Sequence, residues 1–478
     1  MHSTDYLIVG SGAVGMIFAD QLLSETDAEI VIVDRHHMPG GHWNDAYPFV
    51  RLHQPSAFYG AASRVLGSGR IDGAGFNAGY HEMASGAEIC SYFDGLMRER
   101  FLPSGRVKYF PMTDYVSDGT FVCRLSGREH HVSVRKKIVD GTFFKTAVPS
   151  VHTPNFGVAN GVTLISPNVL PREAPHHSNF VIVGGGKTAM DVGVWLLQNG
   201  ADPDRICWIV PRDFWMIDRE TTQPGDAFAK SFAGGQAAVI EASASAISTD
   251  DYFERLEAAG AMIRIDRNVR PTAYKCATIS RAEVEMLRRI KDVVRKGHVR
   301  RIERNAIVMQ GGTIGADPGA LYIDCTASAI ASRPPVPVFD GNLITLQTVR
   351  PCLVSLSAAV IAHVEAHYSD EAEKNDLCRP LPVPDNPLDA LRVQLADLRL
   401  QRRWAGDRNL REWLGTHRLT GANLRSHGHD GDAEMAQIQA RIKAARPTAE
   451  ANLARLLGAE PAGSAIAQAL NHSALSRA

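Results

Sequence analysis

The chain of 478 residues has no local pairs of cysteines: Cys90, Cys123, Cys207, Cys276, Cys325, Cys352 and Cys378 are scattered, with no CxxC or comparable spacing. It has no excess of either charge, 51 basic against 52 acidic residues and a formal net charge of −1, and so no general pull toward nucleic acid or an anionic membrane. Neither is expected as a partner. It has no long hydrophobic run; the apolar stretch 353–364 is too short to span a bilayer, contains serines and reads as a buried helix. The segment Met1-His2-Ser3-Thr4-Asp5 runs straight into a strand, without the basic segment and apolar core of a signal peptide, so the expected compartment is the cytoplasm. What the chain does have is length and 45% hydrophobic residues against 22% charged, enough for two or three globular domains with full cores.

Two glycine-rich turns dominate what is present. Gly10-Ser11-Gly12-Ala13-Val14-Gly15 follows the apolar run Tyr6-Leu7-Ile8-Val9, and Gly184-Gly185-Gly186-Lys187-Thr188-Ala189 follows Phe180-Val181-Ile182-Val183. Each has the strand, turn and helix order in which glycines let the backbone approach a pyrophosphate at a helix N-terminus, where unpaired N–H groups favour anions. One such turn makes a cofactor pocket; two suggest an electron path.

Residues 5–34 form a complete βαβ unit, with strands at 6–9 and 29–33 and a helix around 14–24. The second strand ends in Asp34, where a carboxylate accepts hydrogen bonds from a ribose diol, followed by Arg35. Since the unit lies at the amino terminus, Gly10, Gly12, Gly15, Asp34 and Arg35 are assigned to FAD.

A few residues on, Gly40-Gly41-His42-Trp43 resembles the glycine-glycine-x-tryptophan signature that follows the FAD unit in flavin-containing and Baeyer–Villiger monooxygenases. Gly41 lets the main chain pass close to the cofactor, and Trp43 offers an apolar face and one donor. The resemblance implies that the loop 51–59 lines the flavin's neighbourhood, with His53 and Gln54 as the candidates for polar contacts. A flavoprotein that reduces disulfides needs two thiols close together at the flavin, and the segment 36–43 offers none, so that activity is disfavoured.

Alternating apolar positions over 106–140 read as a small antiparallel sheet with a returning strand, ending in Asp140-Gly141-Thr142, which looks like the crossing turn of two-dinucleotide flavoproteins. The second unit opens at Asn179; its second strand, 205–210, is followed by Pro211-Arg212-Asp213. A guanidinium there pairs with a 2′-phosphate, so NADPH is favoured over NADH, held by Gly184, Gly186, Ala189 and Arg212. Lys187 either reaches a phosphate or is a solvated lysine at the helix start. Residues 225–310 read as a helix-rich insertion containing an N-capped amphipathic helix at 280–290, whose basic residues on to Arg304 form a solvated face. The strand 321–327 closes the unit with Asp324-Cys325-Thr326-Ala327, which resembles a second crossing turn. A strand and turn at 342–352 then lead into the helix 353–363, and the resemblance places Gln347 and Thr348 at the flavin. Trp404, Trp413 and Leu/Ala-rich stretches mark a C-terminal helical cap that covers a substrate entrance or forms a homodimer surface. In it, His427-Gly428-His429-Asp430 reads as a polar loop rather than a metal site.

The expected fold class is thus α/β, with two Rossmann-like dinucleotide-binding domains, for FAD (residues 1–145 and 335–380) and NAD(P)H (146–334, with the helical insertion 225–310), and a cap at 381–478. The resemblance covers about residues 5–365. It implies a monooxygenase that uses FAD, NADPH and O2 to oxygenate a small-molecule substrate, through a flavin C4a-(hydro)peroxide and with N- or S-hydroxylation favoured; no metal is expected. The alternatives are an FAD-dependent NAD(P)H dehydrogenase or reductase without oxygenation, and a non-enzymatic flavin-binding redox sensor. The Baeyer–Villiger fingerprint needs a histidine just before the second unit, where Ile165 stands, so that chemistry is not expected.

Overall fold

Two parallel sheets, each entered through one of the glycine turns, organise the protein. The computed structural model describes residues 2–328, 330, 333–420 and 432–458; His427-Gly428-His429-Asp430 lies outside them. In the first sheet the strands run in the order Phe339–Asp340, Leu343–Thr345, Glu129–Asp140, His2–Val9, Ile30–Val33 and Val107–Phe110, with the hairpin Thr113–Ser117 and Thr120–Cys123 attached to the start of Glu129–Asp140. All but the Phe339–Asp340 edge and the hairpin pair in parallel. Ile30–Val33 is buried at every position, as expected of a strand covered on both faces.

The helices Ala13–Glu25 and Val354–His367 pack together against this sheet and carry much of its core, including Phe18, Leu22, Val360 and Ile361. Because Leu343–Thr345 pairs with Ile138–Asp140, the chain returns to the first unit after building the second. The expected antiparallel sheet over 106–140 is only partly present. Val107–Phe110 arrives through the helix Gly86–Leu96, and a helical crossover delivers a strand in parallel, here beside Ile30–Val33.

The second sheet has the order Asp292–Val294, Ile206–Ile209, Phe180–Val183, Leu321–Asp324 and Thr163–Ile165, all parallel, with the helix Lys187–Gln198 following its glycine turn. Ile165, in the place of the Baeyer–Villiger histidine, is simply the end of the outer strand. The insertion 225–310 is less helical than its composition implied. It contains the helices Ala229–Ser245, Thr249–Ala258 and Arg281–Leu287, but also Met262–Ile263 and Ala273–Ile279, which flank Phe214–Asp218 in a three-stranded sheet, and Asp292–Val294, a member of the nucleotide sheet itself. Ser280 and Glu283 close a reciprocal capping box on the Arg281–Leu287 helix.

The C-terminal helices bind both units. Ala433–Gly458 lies along Ala229–Ser245, with Arg441 on Glu241 at 2.6 Å, while Arg408–Thr416 reaches the first unit through the Trp413 indole N–H, which donates to Glu25 at 2.9 Å. Among the described residues no helix is long and apolar enough to cross a membrane.

Candidate cofactor cleft

The first glycine turn is built by steric necessity. Gly10 has φ +101°, and a Cβ on Gly15 would sit 2.1 Å from the Gly10 carbonyl oxygen, so the helix can start this close to the strand only with glycine. Gly12 caps the helix without offering a side chain, leaving its first N–H groups directed at the space in front. The Gly40-Gly41 segment folds against this turn: the Gly40 N–H donates to Ser11 at 2.9 Å, and a Cβ on Gly41 would lie 2.8 Å from Gly12 Cα.

Asp34 is buried beneath the turn and is already well partnered. It accepts from the Ser11 N–H at 2.5 Å, the His36 N–H at 2.7 Å and His36 Nδ1 at 2.8 Å, while His36 Nε2 meets Asp45 at 2.9 Å. Burial alone would raise its carboxyl, but these donors outweigh burial and hold it below the ordinary range; Asp34 in turn draws the His36 imidazole upward. The carboxylate thus braces the turn. Arg35 points away, exposed and paired with Asp114 at 3.2 Å, and is not part of the cleft. The Trp43 N–H is taken by the Tyr59 hydroxyl at 2.9 Å, which leaves the indole its apolar face.

The second turn repeats this construction. Gly184 has φ +132°, and its Cβ would fall 2.7 Å from the Cys325 carbonyl oxygen; Gly186 caps the helix with open space on its Cβ side; Ala189, at the third position, is fully buried. Behind each turn stands the same brace. Thr142 donates through its N–H and hydroxyl to Asp140 at 2.7 and 2.6 Å, and Thr326 does so to Asp324 at 2.9 and 2.6 Å.

Lys187 fits neither of its expected roles. Its ammonium is turned inward onto Asp191 and onto Glu283 at 3.1 Å, and Glu283 also pairs with the fully buried Arg219 at 2.6 Å. Burial would raise the Glu283 carboxyl, but Lys187 and Arg219 dominate and hold it at about 2. Tyr47 extends the cluster by donating to Asp191 at 2.7 Å. His53 lies beside it: burial, then the charges of Lys187 and Arg219, push its imidazole down to about 4, so it is neutral. Its Nδ1 faces the Thr278 N–H at 3.3 Å, and its carbonyl accepts from the Thr278 hydroxyl. Gln54 is half-buried in the same loop. Between the two units Lys187, Asp191, Glu283 and Arg219 border a cavity of about 200 Å3, walled also by Phe49, Leu52, Met83 and Trp195; His53 and Gln54 are not in its lining.

Arg212 is likewise committed elsewhere, in a bidentate pair with Asp385 at 2.6 and 3.0 Å. A second cavity, of about 410 Å3, opens beside Gly185 at the end of the Ile206–Ile209 strand, where an adenosine belongs in this kind of unit. Its lining includes Arg267, Lys291 and Arg295. Arg295 is neutralised by Asp213 and Asp266, whereas Arg267 is exposed and without an ion-pair partner among the described residues. These basic groups come from the insertion, far along the chain from the strand they border; Arg295 belongs to the stretch expected to form a solvated face, whereas Arg267 carried no expectation. The Gln347 and Thr348 side chains are also engaged by the backbone: Gln347 exchanges hydrogen bonds with Val336, and the Thr348 hydroxyl donates to the Leu381 carbonyl. Finally, the scattered cysteines do yield a pair. Cys276 and Cys352, 76 residues apart, are joined by a disulfide.

The NAD(P)-binding Rossmann-like domain family matches residues 8–61, the stretch containing the first turn and the Gly40-Gly41 segment. Over 416 residues, 87% of this chain and 77% of the other, the sequence is 51% identical to the Mycobacterium tuberculosis (strain H37Rv) protein named "Uncharacterized protein Rv2000". The chain belongs to the family of that mycobacterial protein. The same identity and coverage are found for the Mycobacterium bovis protein Mb2023. Solved structures resembling the chain include epsilon-caprolactone-bound cyclohexanone monooxygenase (12% identity, 92% of this chain and 98% of that one, TM-score 0.49). Others are the flavin-containing monooxygenase from Stenotrophomonas maltophilia (15%, 77% and 100%, TM-score 0.45) and the bacillithiol disulfide reductase from Bacillus cereus (11%, 77% and 100%, TM-score 0.43).

Proposed function

We propose that this protein is an FAD-dependent, NADPH-consuming monooxygenase acting on a small molecule, with hydroxylation of a nitrogen or sulfur centre as its favoured reaction. One observation carries the reading: the chain has two helix N-termini built alike, each bare of side-chain caps, each tightened by glycine and each backed by an Asp-x-Thr brace. Two anionic dinucleotides therefore have equivalent seats. FAD takes the Gly10, Gly12 and Gly15 turn; NADPH takes the Gly184, Gly186 and Ala189 turn, with its adenosine in the cavity bordered by Arg267 and Lys291.

Bound flavin supplies hydride acceptance and the activation of dioxygen. The residues of this chain hold, orient and keep dry. Phe49 and Trp195, stacked at 5.4 Å, give the cavity between the units an apolar wall, and the two cations Lys187 and Arg219 that also line it are balanced by the two carboxylates Asp191 and Glu283. Water exclusion of this kind suits oxygen transfer to a soft nucleophile, a role that asks for no protein nucleophile.

The test pairs an oxygen electrode with NADPH absorbance, using tertiary amines and thioethers as probes. Coupled consumption with one oxygen atom added to the probe is the expected result. NADPH oxidation without oxygen uptake by any probe overturns oxygenation and leaves the second reading, a reductase, which the Cys276–Cys352 disulfide favours.

A further inference from the structure

We infer that Cys276 and Cys352 form a reversible redox site joining the two nucleotide units, opened by electrons that originate in NADPH. The inference rests on the nucleotide reading above, but its evidence is separate.

Cys352 lies in the turn between the returning strand Leu343–Thr345 and the helix Val354–His367, beyond the carboxyl end of the first sheet. That is the edge at which doubly wound sheets hold their ligands. The Leu346 N–H donates to the carbonyl of Asp140, at 3.0 Å, which ties the start of this turn to the brace behind Gly10. Cys276 comes from the other unit, in the strand Ala273–Ile279. This strand pairs in parallel with Phe214–Asp218, the segment that continues from the second fingerprint's Ile206–Ile209 strand. Two residues beyond Cys276, Thr278 docks on His53 of the first unit. The bond therefore spans the boundary between the units, next to the loop 51–59.

The backbone marks the same two residues. Among the described residues, five that are not glycine have positive φ, and two of them are Cys276 at +58° and Cys352 at +63°. A left-handed conformation is unfavourable for a residue with a Cβ and persists where the surroundings impose it, which happens most at functional sites. A disulfide serving only as a staple would not require both ends to be held this way. The free thiols offer no competing site in the interior: burial pushes those of Cys90, Cys207, Cys325 and Cys378 upward, away from the reactive thiolate form.

The step balances as NADPH plus one proton plus the disulfide giving NADP+ and two thiols. The S–S bond breaks and accepts the electron pair, and each sulfur gains one proton, the two being supplied by the hydride equivalent and by solvent. In the oxidised form a disulfide crosslinks the units; in the dithiol form that crosslink is gone and the non-covalent contacts, among them Tyr47 on Asp191 and Thr278 on His53, remain.

The experiment is an anaerobic incubation of the flavin-loaded protein with NADPH, followed by denaturing alkylation with N-ethylmaleimide and peptide mass spectrometry, with flavin absorbance read in the same sample. Cys276 and Cys352 should be blocked before NADPH and both labelled after it. The wild-type protein should also consume two equivalents of NADPH per flavin where a Cys276→Ser/Cys352→Ser double variant consumes one. If the flavin bleaches and both cysteines stay blocked, or if both are already free in the air-oxidised protein, this inference falls alone. If NADPH leaves the flavin oxidised, the electron route falls together with the proposed function.

Discussion

Arg212 and Asp385 form a bidentate ion pair, at 2.6 and 3.0 Å, that joins the end of the second nucleotide strand to the segment leading into the C-terminal helices. Lys275 approaches the same carboxylate at 3.3 Å, and together they hold Asp385 below its ordinary range, Arg212 first. The guanidinium that stands where a 2′-phosphate reader is expected is thus occupied by the protein's own carboxylate.

Selection of NADPH should therefore follow Arg267 rather than Arg212. Arg267→Ala is expected to raise the KM for NADPH by about tenfold, the equivalent of losing about 1.4 kcal/mol, and to leave NADH almost unchanged. Arg212→Ala should affect both nucleotides alike. Steady-state kinetics with the two cofactors separates these outcomes.

The open side of Gly186 permits a clean test of the second turn. A Cβ there meets nothing within 4 Å, and its φ of −83° suits any residue, so Gly186→Val should leave thermal stability unchanged while abolishing NADPH binding. Gly15→Ala is the contrasting case, since its Cβ would sit 2.1 Å from the Gly10 carbonyl oxygen; that variant should lose flavin and much of its stability. Calorimetry and nucleotide titration on both proteins provide the comparison.

Glu283→Gln removes the carboxylate shared by Lys187 and Arg219, of which Arg219 is fully buried. Lys187 keeps Asp191, but leaving the buried Arg219 without its carboxylate should cost about 3–5 kcal/mol in a urea unfolding series.

Acid should weaken the fold in two stages. His53 is held at about 4 against an ordinary 6.5, so the unfolded chain takes up a proton first and stability falls as pH drops from about 6.5 toward 4. Glu283 is held at about 2 against 4.5, so its contribution is full above pH 4.5 and is lost as pH falls toward 2. Melting temperatures across this range should show both limbs, with the lower one reduced in Glu283→Gln, where the carboxyls of Asp34 and Asp385, likewise held low, still contribute.

Much of the scaffold was legible in the sequence, because its signals are local. A glycine at a fixed offset from an apolar strand and a capping serine three residues before a glutamate express short-range constraints, and both turns and the Ser280 cap stand where those signals put them. The return of 342–367 to the first unit was equally readable from its strand and apolar helix. The chemistry between the units was not, since it depends on partners distant in sequence. Lys187 meets Glu283 96 residues away, Arg212 meets Asp385 173 residues away, and Cys276 meets Cys352 76 residues away. No spacing rule links such pairs. Gln347 and Thr348, which the resemblance placed at the flavin, have side chains bonded to the backbone of Val336 and Leu381, partners 11 and 33 residues away that no local pattern marks.

The most direct test of the central claim, two dinucleotide seats serving one electron path, is an anaerobic NADPH titration of the FAD-loaded protein followed by absorbance near 450 nm. The account requires the flavin band to bleach with NADPH in the wild-type protein and to persist in Gly186→Val. A protein that remains colourless after incubation with FAD, or whose flavin NADPH does not reduce, would contradict it.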